Sequence, residues 1–559
     1  MRCALRCELK SRHSARSRIK EHRYFFLIYL LKQMKPQQLL DEFIVPGQRV
    51  ENQARRAQAS ARAHFPALTT AALAIASAVV LTLSGCASSA GIFHRAQPIA
   101  PATLGIGAAP NAESAAAVTA DWWRQFGDAK LTDIVERALA NNPSLKVAQA
   151  RLLRAQAATE LNQSADGLHA NGQVNATRQR FSRNSIYPPP LGGGTYTLGT
   201  AQLAATYEFD FFGRNRAAIE AAVGAERAAQ ADVQAARIVL ASTVARTYVQ
   251  LGRLFEQRNV AARSLQSRSE ILALIRQRVS GGLDTNVELR QGEGALPESR
   301  QQLELLDEQI ALTRHALAAL SAQAPGACDG LIVALSDLQT TGSTTSMIAT
   351  LPADLLGRRA DISAARWRIE AASRDVASAK ASFYPNVNLT AFVGLASIGL
   401  NNLVKASSEQ YGVGPALTLP IFDGGRLRAN LRGKAADLDA AIESYNSAVL
   451  DAVHEAADQI SSVRGVQRQQ SEQLDALASA ESAYGLATQR YQAGLSTYLT
   501  VLNAEANVLN QRRLGADLKA RALEVQIGLI RALGGGYAAD SGSRGGYAEQ
   551  AANTTLAAH

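Results

Sequence analysis

Cysteine is almost missing from this chain. Cys3, Cys7, Cys86 and Cys328 are four residues in 559, too few and too scattered for a disulfide framework or a cysteine-rich zinc site. Methionine and histidine are as sparse: from residue 86 onward there is one Met (Met347) and five His, which leaves no relay of soft ligands for copper or silver. Proline is absent between Pro190 and Pro297 and again after Pro420, so long helices can run through both intervals unbroken. Acidic or basic excess is also lacking where it would matter. The chain carries 58 Lys plus Arg against 48 Asp plus Glu, yet residues 1–85 hold 14 of the basic and 5 of the acidic side chains, so the body beyond them is almost neutral. A phosphate-binding body is thereby ruled out as the default reading, and no nucleic-acid partner is expected.

One apolar run stands out, from Ala67 to Leu83, preceded by Arg55, Arg56 and Arg62 and closed by Leu83-Ser84-Gly85-Cys86. A basic segment, an apolar stretch and small residues at a cleavage point form a secretory signal. At 17 residues the run is at the lower limit for a membrane span, and no basic flank follows to stop transfer. The ending resembles a bacterial lipobox, in which Cys86 becomes the first residue and carries a covalent lipid; no other cofactor is expected. Ala87 in place of Asp implies sorting to the outer membrane. Residues 1–85 are thus an N-terminal extension and signal peptide, with the true translation start expected inside residues 1–60.

Residues 86–120 are rich in Ala, Pro and Gly and are expected to form a tether. From Asp121 apolar residues recur at steps of three and four, as in Leu131, Ile134, Val135 and Ala138. The chain also repeats itself. At an offset of 212, Gly213 and Arg214 fall on Gly425 and Arg426, and Arg278, Gly282, Leu283 and Thr285 fall on Arg490, Gly494, Leu495 and Thr497. The expected layout is one repeat at 121–321, a linker at 322–352, a second repeat at 353–533 and a flexible tail at 534–559.

Within each repeat a period of two gives way to a long helical stretch. Leu203, Ala205, Tyr207 and Phe209 alternate with polar residues, as do Val387, Leu389, Ala391, Val393 and Leu395, then Val413, Pro415, Leu417 and Leu419, with a weaker segment near Val174–Phe181. About ten alternating residues suit a strand crossing an outer membrane. Four strands cannot close a barrel, since about eight is the usual minimum, and open edges are forbidden in lipid. The same alternation fits an ordinary half-buried hairpin; if the strands span the membrane, several chains must share one barrel. A helix from Arg214 to Gln277 would be about 95 Å long, and its counterpart has a mostly small seam of Leu438, Ala441, Tyr445, Ala448, Ala452, Ala456, Ile460 and Val463.

Six stretches carry a family resemblance: DWWRQFGDAKLTDIVERALANNPSL at 121–145, YEFDFFGRNR at 207–216, GRRADISAARWRIEAA at 357–372, FYPNVNL at 383–389, GPALTLPIFDGGRLRANL at 414–431 and RYQAGLSTYLTVLNAE at 490–505. These resemble the TolC-type outer membrane efflux channels, in particular the NodT-like lipoproteins that serve RND pumps. Ala360 departs from the family's Arg-Pro-Asp-Ile pattern. The resemblance implies a mainly helical fold with membrane β-structure: a homotrimer in which four strands per chain make one twelve-strand barrel above a long α-helical coiled-coil tunnel. It places Arg278, Gly282, Leu283, Thr285, Arg490, Gly494, Leu495 and Thr497 at tip turns in the periplasm, where an adaptor protein docks, and it implies an inner-membrane RND pump as a further partner. The gate falls at Leu499, Thr500 and Asn503, neutral residues where relatives carry an acidic ring.

No chemistry competes with this reading. His454-Glu455-Ala456-Ala457-Asp458 lacks the second His of a zincin, Gly433-Lys434-Ala435 is not a phosphate loop, and there is no serine elbow, so neither a metal site nor an enzyme is expected. The expected function is a passive, lipid-anchored exit duct for small toxic compounds or drugs; the alternative is a structural trimeric coiled-coil lipoprotein without a pore. Labelled palmitate is expected to enter the protein and to be lost in Cys86→Ser; label retained by that variant would place the lipid elsewhere.

Overall fold

The computed structural model describes residues 88–100, 104, 118–184, 186–339 and 357–538. All of these lie in the unit Gly85–His559. Cys86, the apolar run before it, most of the second half of the linker and the last residues of the chain lie outside the described residues.

After a single-turn 3-10 helix at Trp122–Phe126 come α1 (Ala129–Asn141) and α2 (Pro143–Ala165), then strands β1 (His169–Arg180) and β2 (Thr195–Phe209), then α3 (Arg214–Ser280) and α4 (Asn286–Leu320). The second half repeats this order with α5 (Ala360–Ala381), β3 (Asn386–Ile398), β4 (Glu409–Thr418), α6 (Arg426–Gln492) and α7 (Tyr498–Ala532). The duplication holds to the residue. Both α3 and α6 have 67 residues, both α4 and α7 have 35, and the bounds of each pair differ by the same 212 positions. At about 1.5 Å per residue the two long helices each extend roughly 100 Å.

These helices are built from alanine. Ala217, Ala221, Gly224, Ala228 and Ala231 of α3 are buried at steps of three and four, and a methyl group added at Gly224 would meet the Ala371 backbone of α5 at 3.1 Å. Small seam residues let helix axes approach closely, which replaces bulky interdigitation with backbone-to-backbone contact. On α6 the expected seam is buried at Leu438, Ala452 and Ala456 and half-buried at Ala441, Tyr445, Ala448, Ile460 and Val463; Ile442 and Val449 join it. α3 packs along α2, α4, α5 and α7, while α6 packs along α5 and α7.

The largest core lies midway along α3, where Tyr248, Leu251 and Leu254 meet Trp122, Phe126, Leu131 and Leu317. Asp128 organises its edge: one carboxylate oxygen caps α1 through the N–H of Lys130 (2.7 Å), and the other accepts the Tyr248 hydroxyl (2.6 Å). The first part of the linker is packed here too, with Cys328, Val333, Leu335 and Leu338 buried in the same core.

A second knot joins the repeats. Arg359, just before α5, donates to both carboxylate oxygens of Asp361, to Glu455 of α6 (3.0 Å) and to the Ala532 carbonyl at the end of α7 (3.2 Å). Residues 534–538, expected to begin a flexible tail, are seated against this knot. Gly534, Gly535 and Gly536 all have positive φ, and a Cβ on Gly534 would lie 2.2 Å from the Arg358 carbonyl, so only glycine fits the passage. Tyr537 then donates to or accepts from Ser363 at 3.1 Å.

The stretch 86–120 is docked over its described part. Arg95 and Ala96 donate backbone N–H groups to Asp439 (2.7 and 2.8 Å), Ile99 donates to Asn446 (2.9 Å), and Ile92 and Ala96 pack on the cluster of Phe383, Leu427, Leu431 and Leu438. These ties recur along α6 with no helical or strand period, which is why a search for periodicity read only a tether.

Ala360 opens α5, and the preceding Arg359 is extended (φ −98°, ψ 130°), the conformation that a following proline requires. A proline at this first helical position loses no intrahelical hydrogen bond. Ala360→Pro is therefore expected to stabilise the fold by about 0.4–1 kcal/mol through the unfolded chain; a guanidinium transition at lower concentration than wild type would show that the ring does not fit.

Candidate functional site: a two-faced sheet and a pair of tip hairpins

The four strands form one antiparallel sheet in the order β1-β2-β3-β4. Ala201 pairs with Val174 on one side and Leu395 on the other, and Leu203 pairs with Gly172 and Val393, which sets the faces across the sheet. One face carries Leu203, Tyr207, Phe209, Val387, Leu389, Val393, Val413 and Leu417; the other carries Asn171, Gln173, Asn175, Gln202, Thr206, Asn388, Thr390 and Gln410. The apolar face is bare: Leu203, Val393, Val413 and Leu417 are all more than half exposed. On the polar face Gln410 donates to Gln202 across the strands (3.3 Å).

Aromatic residues mark both ends of the sheet. Phe181, Tyr187 and Tyr196 cluster beside the β1–β2 turn, with ring centroids 4.9 and 6.1 Å apart. At the opposite end Phe209 stacks on Phe211 (5.7 Å) and Phe212 stacks on Tyr384 (4.8 Å). A sheet with an apolar face, a polar face and an aromatic band at each end is a segment of a transmembrane barrel. Among the described residues no helix is long and apolar enough to cross a membrane. Among the described residues neither β1 nor β4 has a partner strand on its outer side.

At the far ends of the long helices lie the two hairpins. Both use one backbone solution: Leu283 N–H bonds to Arg278 O and Leu495 N–H to Arg490 O, each at 2.8 Å, with Gly282 (φ 71°) and Gly494 (φ 78°) in the left-handed region. Glycine is required there because a side chain is strained at positive φ. Thr285 then caps α4 in a capping box with Glu288, and Thr497 precedes α7 in extended conformation without a side-chain cap.

The hairpins are tied to one another by a triad that the matched motifs did not reveal. Arg278 pairs bidentately with Asp284 (2.9 and 3.2 Å) and donates to the Tyr491 carbonyl (3.2 Å). Its guanidinium lies 4.7 Å over the Tyr491 ring, and the Tyr491 hydroxyl donates to Asp284. Hydrogen bonding to Arg278 holds the Asp284 carboxyl below its ordinary pKa against the opposing effect of burial. Burial, then the bond to Asp284, pushes the Tyr491 hydroxyl up, so it stays a donor across the physiological range. The signal was available in the mismatches between repeats: Asp284 corresponds to Ser496 and Tyr491 to Val279.

Leu499, Thr500 and Asn503 lie in the first turns of α7 and are exposed in the single chain; Leu499 and Asn503 share a face one turn apart. Their buried neighbours Tyr498 and Val501 pack with Tyr491 and Ile275. Burial and the nearby Glu505 push the Tyr498 hydroxyl up to about 12. Further along, Glu505 is 4% exposed and accepts from Arg268 (3.2 Å) and Ser264 (3.2 Å) of α3, while Arg268 also reaches the Ala295 carbonyl and Ser299 of α4. His454 faces solvent beside Asp458, and Glu455 is engaged by Arg359 and Arg531. Among the described residues no group of His, Cys, Asp and Glu could hold a metal ion.

This combination defines an outer membrane channel subunit. The family model for outer membrane efflux proteins matches residues 134–323 and 351–535, and the chain belongs to that family. It is 32% identical over 467 residues to the multidrug resistance outer membrane protein MdtQ of Escherichia coli O6:H1, covering 82% of this chain and 97% of MdtQ. It is 36% identical over 367 residues to the fusaric acid resistance protein FusA of Burkholderia cepacia, covering 65% of this chain and 68% of FusA. The crystal structure of the outer membrane protein VceC from Vibrio cholerae superposes with a TM-score of 0.70 at 36% identity, over 75% of this chain and all of VceC. The family is one of channels, and the chain is not an enzyme.

The triad sets a pH dependence. Because the Asp284 pKa is depressed on folding, its contribution is complete above the ordinary carboxylate value, about 4, and is lost only as pH falls through the lower folded value. Near-ultraviolet dichroism of the tyrosines is expected to hold from pH 7 to 5 and change below about pH 4. Tyr491→Phe is expected to speed amide exchange in residues 490–498 about fivefold, the loss of one hydrogen bond of roughly 1 kcal/mol; unchanged exchange would mean the hairpins are held elsewhere.

Proposed function

We propose that the protein is the lipid-anchored, trimeric exit duct of a tripartite efflux system, of the NodT-like branch, through which an adaptor and an RND-type inner-membrane pump expel small toxic compounds. The observation that carries this reading is the four-strand sheet, apolar on one face and amide-lined on the other, with both outer edges unpaired. Three copies joined edge to edge supply twelve strands, above the minimum for closure, and put the polar face on the lumen. The multidrug and fusaric acid resistance functions in the relatives' names support the class of cargo. An amide-lined passage offers no specific binding constellation, so selection falls to the pump.

The lipid anchor is supported by the strap on α6. The carbonyls of Ser88 and Ala90 accept from Arg428, in the first turn of α6 directly after β4. The chain two residues beyond Cys86 is thus held at the membrane-proximal end of the helices. The hairpins at the opposite end are the adaptor-docking tips in this reading, with Leu283 and Leu495 exposed for contact and the Asp284 triad holding the second hairpin against the first.

Closure is assigned to the ring of Leu499 with Thr500 and Asn503. Three amides offer weak dipoles to a divalent cation, where three carboxylates would bind one. The protein is expected to conduct in planar bilayers with little block by divalent cations, and Asn503→Asp is expected to introduce block. Strong block in wild type, unchanged by the substitution, would move the gate; no conductance under any opening condition would return the poreless alternative.

A further inference from the structure

Each passage from strand to long helix repeats one pattern. After β2 come Phe211 and Phe212, then Gly213 and Arg214-Asn215-Arg216; after β4 come Ile421 and Phe422, then Gly425 and Arg426-Leu427-Arg428. All four apolar side chains are exposed, Phe422 to 92%. Arginine in the first turn opposes the helix dipole, and neither helix carries an acid in that turn. The helix starts are met instead by the carboxylates of Asp210 and Asp423, which leaves the arginine side chains free for partners outside the helix.

Of these arginines only Arg214 is neutralised by a nearby acid. Glu208 takes Arg214 alone (2.7 and 2.9 Å). Asp210 accepts the Arg216 backbone N–H (2.8 Å), and Asp423 accepts those of Leu427 (2.7 Å) and Gly425 (3.0 Å). Arg426 lies near enough to Asp423 to lower its pKa but forms no ion pair with it. Arg428 is spent on the Ser88 and Ala90 carbonyls, which bring no charge. Among the described residues the side chains of Arg216, Arg426 and Arg432 have no hydrogen-bond or ion-pair partner, and all three are exposed.

Between the two passages lies a recess of about 320 Å³ whose border includes Phe212, Tyr384, Arg426 and the Arg214–Glu208 ion pair, with Asp210 turned to the Arg216 backbone N–H. Asn386, on the same wall, has a side-chain oxygen without a hydrogen-bond partner. The recess sits where the apolar face of the sheet ends, at the level where hydrocarbon gives way to headgroups. Its rings suit the apolar side of an amphiphile, and Arg426 on its wall, with Arg216 and Arg432 two residues along the chain from the bordering Arg214 and Asn430, offers unpaired guanidinium groups to an anion.

We propose that this collar binds the phosphate of anionic phospholipid headgroups in the leaflet facing the periplasm, through Arg216, Arg426 and Arg432, with Phe212 and Tyr384 against the glycerol and first acyl carbons. The lipid at Cys86 would then enter a bilayer already gripped by the protein. The proposal rests on the sheet spanning the membrane, and its test separates the two.

The assembled full-length protein is placed in nanodiscs of phosphatidylcholine mixed with phosphatidylglycerol, and the lipid retained after detergent extraction is counted by mass spectrometry. Phosphatidylglycerol is expected to be enriched, and each Arg→Gln change at 216, 426 or 432 to lower the enrichment about fivefold, with Arg→Lys restoring most of it. In wild type the enrichment is expected to fall as salt rises, a second measurement that needs no variant. Equal enrichment in wild type and the triple Gln variant would overturn the collar, as would displacement of the lipid by millimolar glycerol phosphate, the mark of a soluble-anion site. Failure to enter any bilayer, phosphatidylcholine included, would overturn the membrane reading and the collar with it.

Discussion

A backbone N–H or carbonyl has no water to bond in hydrocarbon, and that constraint governs the molecule. β1 and β4 each leave an edge unpaired, so the isolated chain is incomplete as a membrane object. Closing the edges with copies of the same chain fixes the inside and outside of the barrel at once, because the pleat has already sorted apolar from amide side chains. It also fixes where the helices go. β2 and β4 end at Phe209 and Thr418, and the long helices begin a few residues later at Arg214 and Arg426, so the curvature of the barrel passes directly into the arrangement of helices.

Below the strands the energetics change. Alanine seams bury little area per residue, and at about 25 cal/mol per Å² a methyl contributes far less than a leucine. What is gained is close approach, as at Gly224 against Ala371. Specific cross-ties then set helix against helix. Arg268 with Glu505 joins α3, α4 and α7, and Arg359 with Glu455 joins α5, α6 and the end of α7. A buried ion pair adds modest net stability, but leaving either partner alone is costly, so such pairs select one register among the many that smooth alanine faces allow.

Much of this was legible. The offset of 212 gave the two pairs of long helices to the residue, since repeated Gly-Leu-x-Thr turns carry their own backbone geometry, while the strands do not keep that offset. The missing prolines allowed long helices but did not set their ends, which fall at the glycine turns, while Pro297 lies inside α4. β1 was hardest to see, because its apolar face is Ala170, Gly172, Val174 and Ala176, too small to contrast with the Asn and Gln between them. β2 was read only from Leu203, yet it begins at Thr195, where Thr197, Gly199 and Ala201 again blur the alternation. The Arg278–Asp284–Tyr491 triad was hidden for another reason. It joins residues 207 positions apart, and a search for identity between repeats looks away from the places where the repeats have diverged.

That divergence makes the two hairpins unequal. The first is closed on itself: Arg278 pairs with Asp284, and Thr285 and Glu288 cap each other's helix start. The second has the same glycine turn but none of these ties. Ser496 stands where Asp284 would be, its Oγ buried without a partner, while Arg490 faces solvent and Thr497 makes no side-chain cap. Within its own turn Thr497 meets Thr500 at 3.4 Å, and its ties to the first hairpin include Tyr491, which gives its hydroxyl to Asp284 and accepts from Arg278 at its carbonyl. The first hairpin therefore carries its own order and lends some to the second. Tandem duplication alone would have made two independent turns. The repeats differ in Asp284 against Ser496 and in Val279 against Tyr491, and with these two differences the second turn depends on the first.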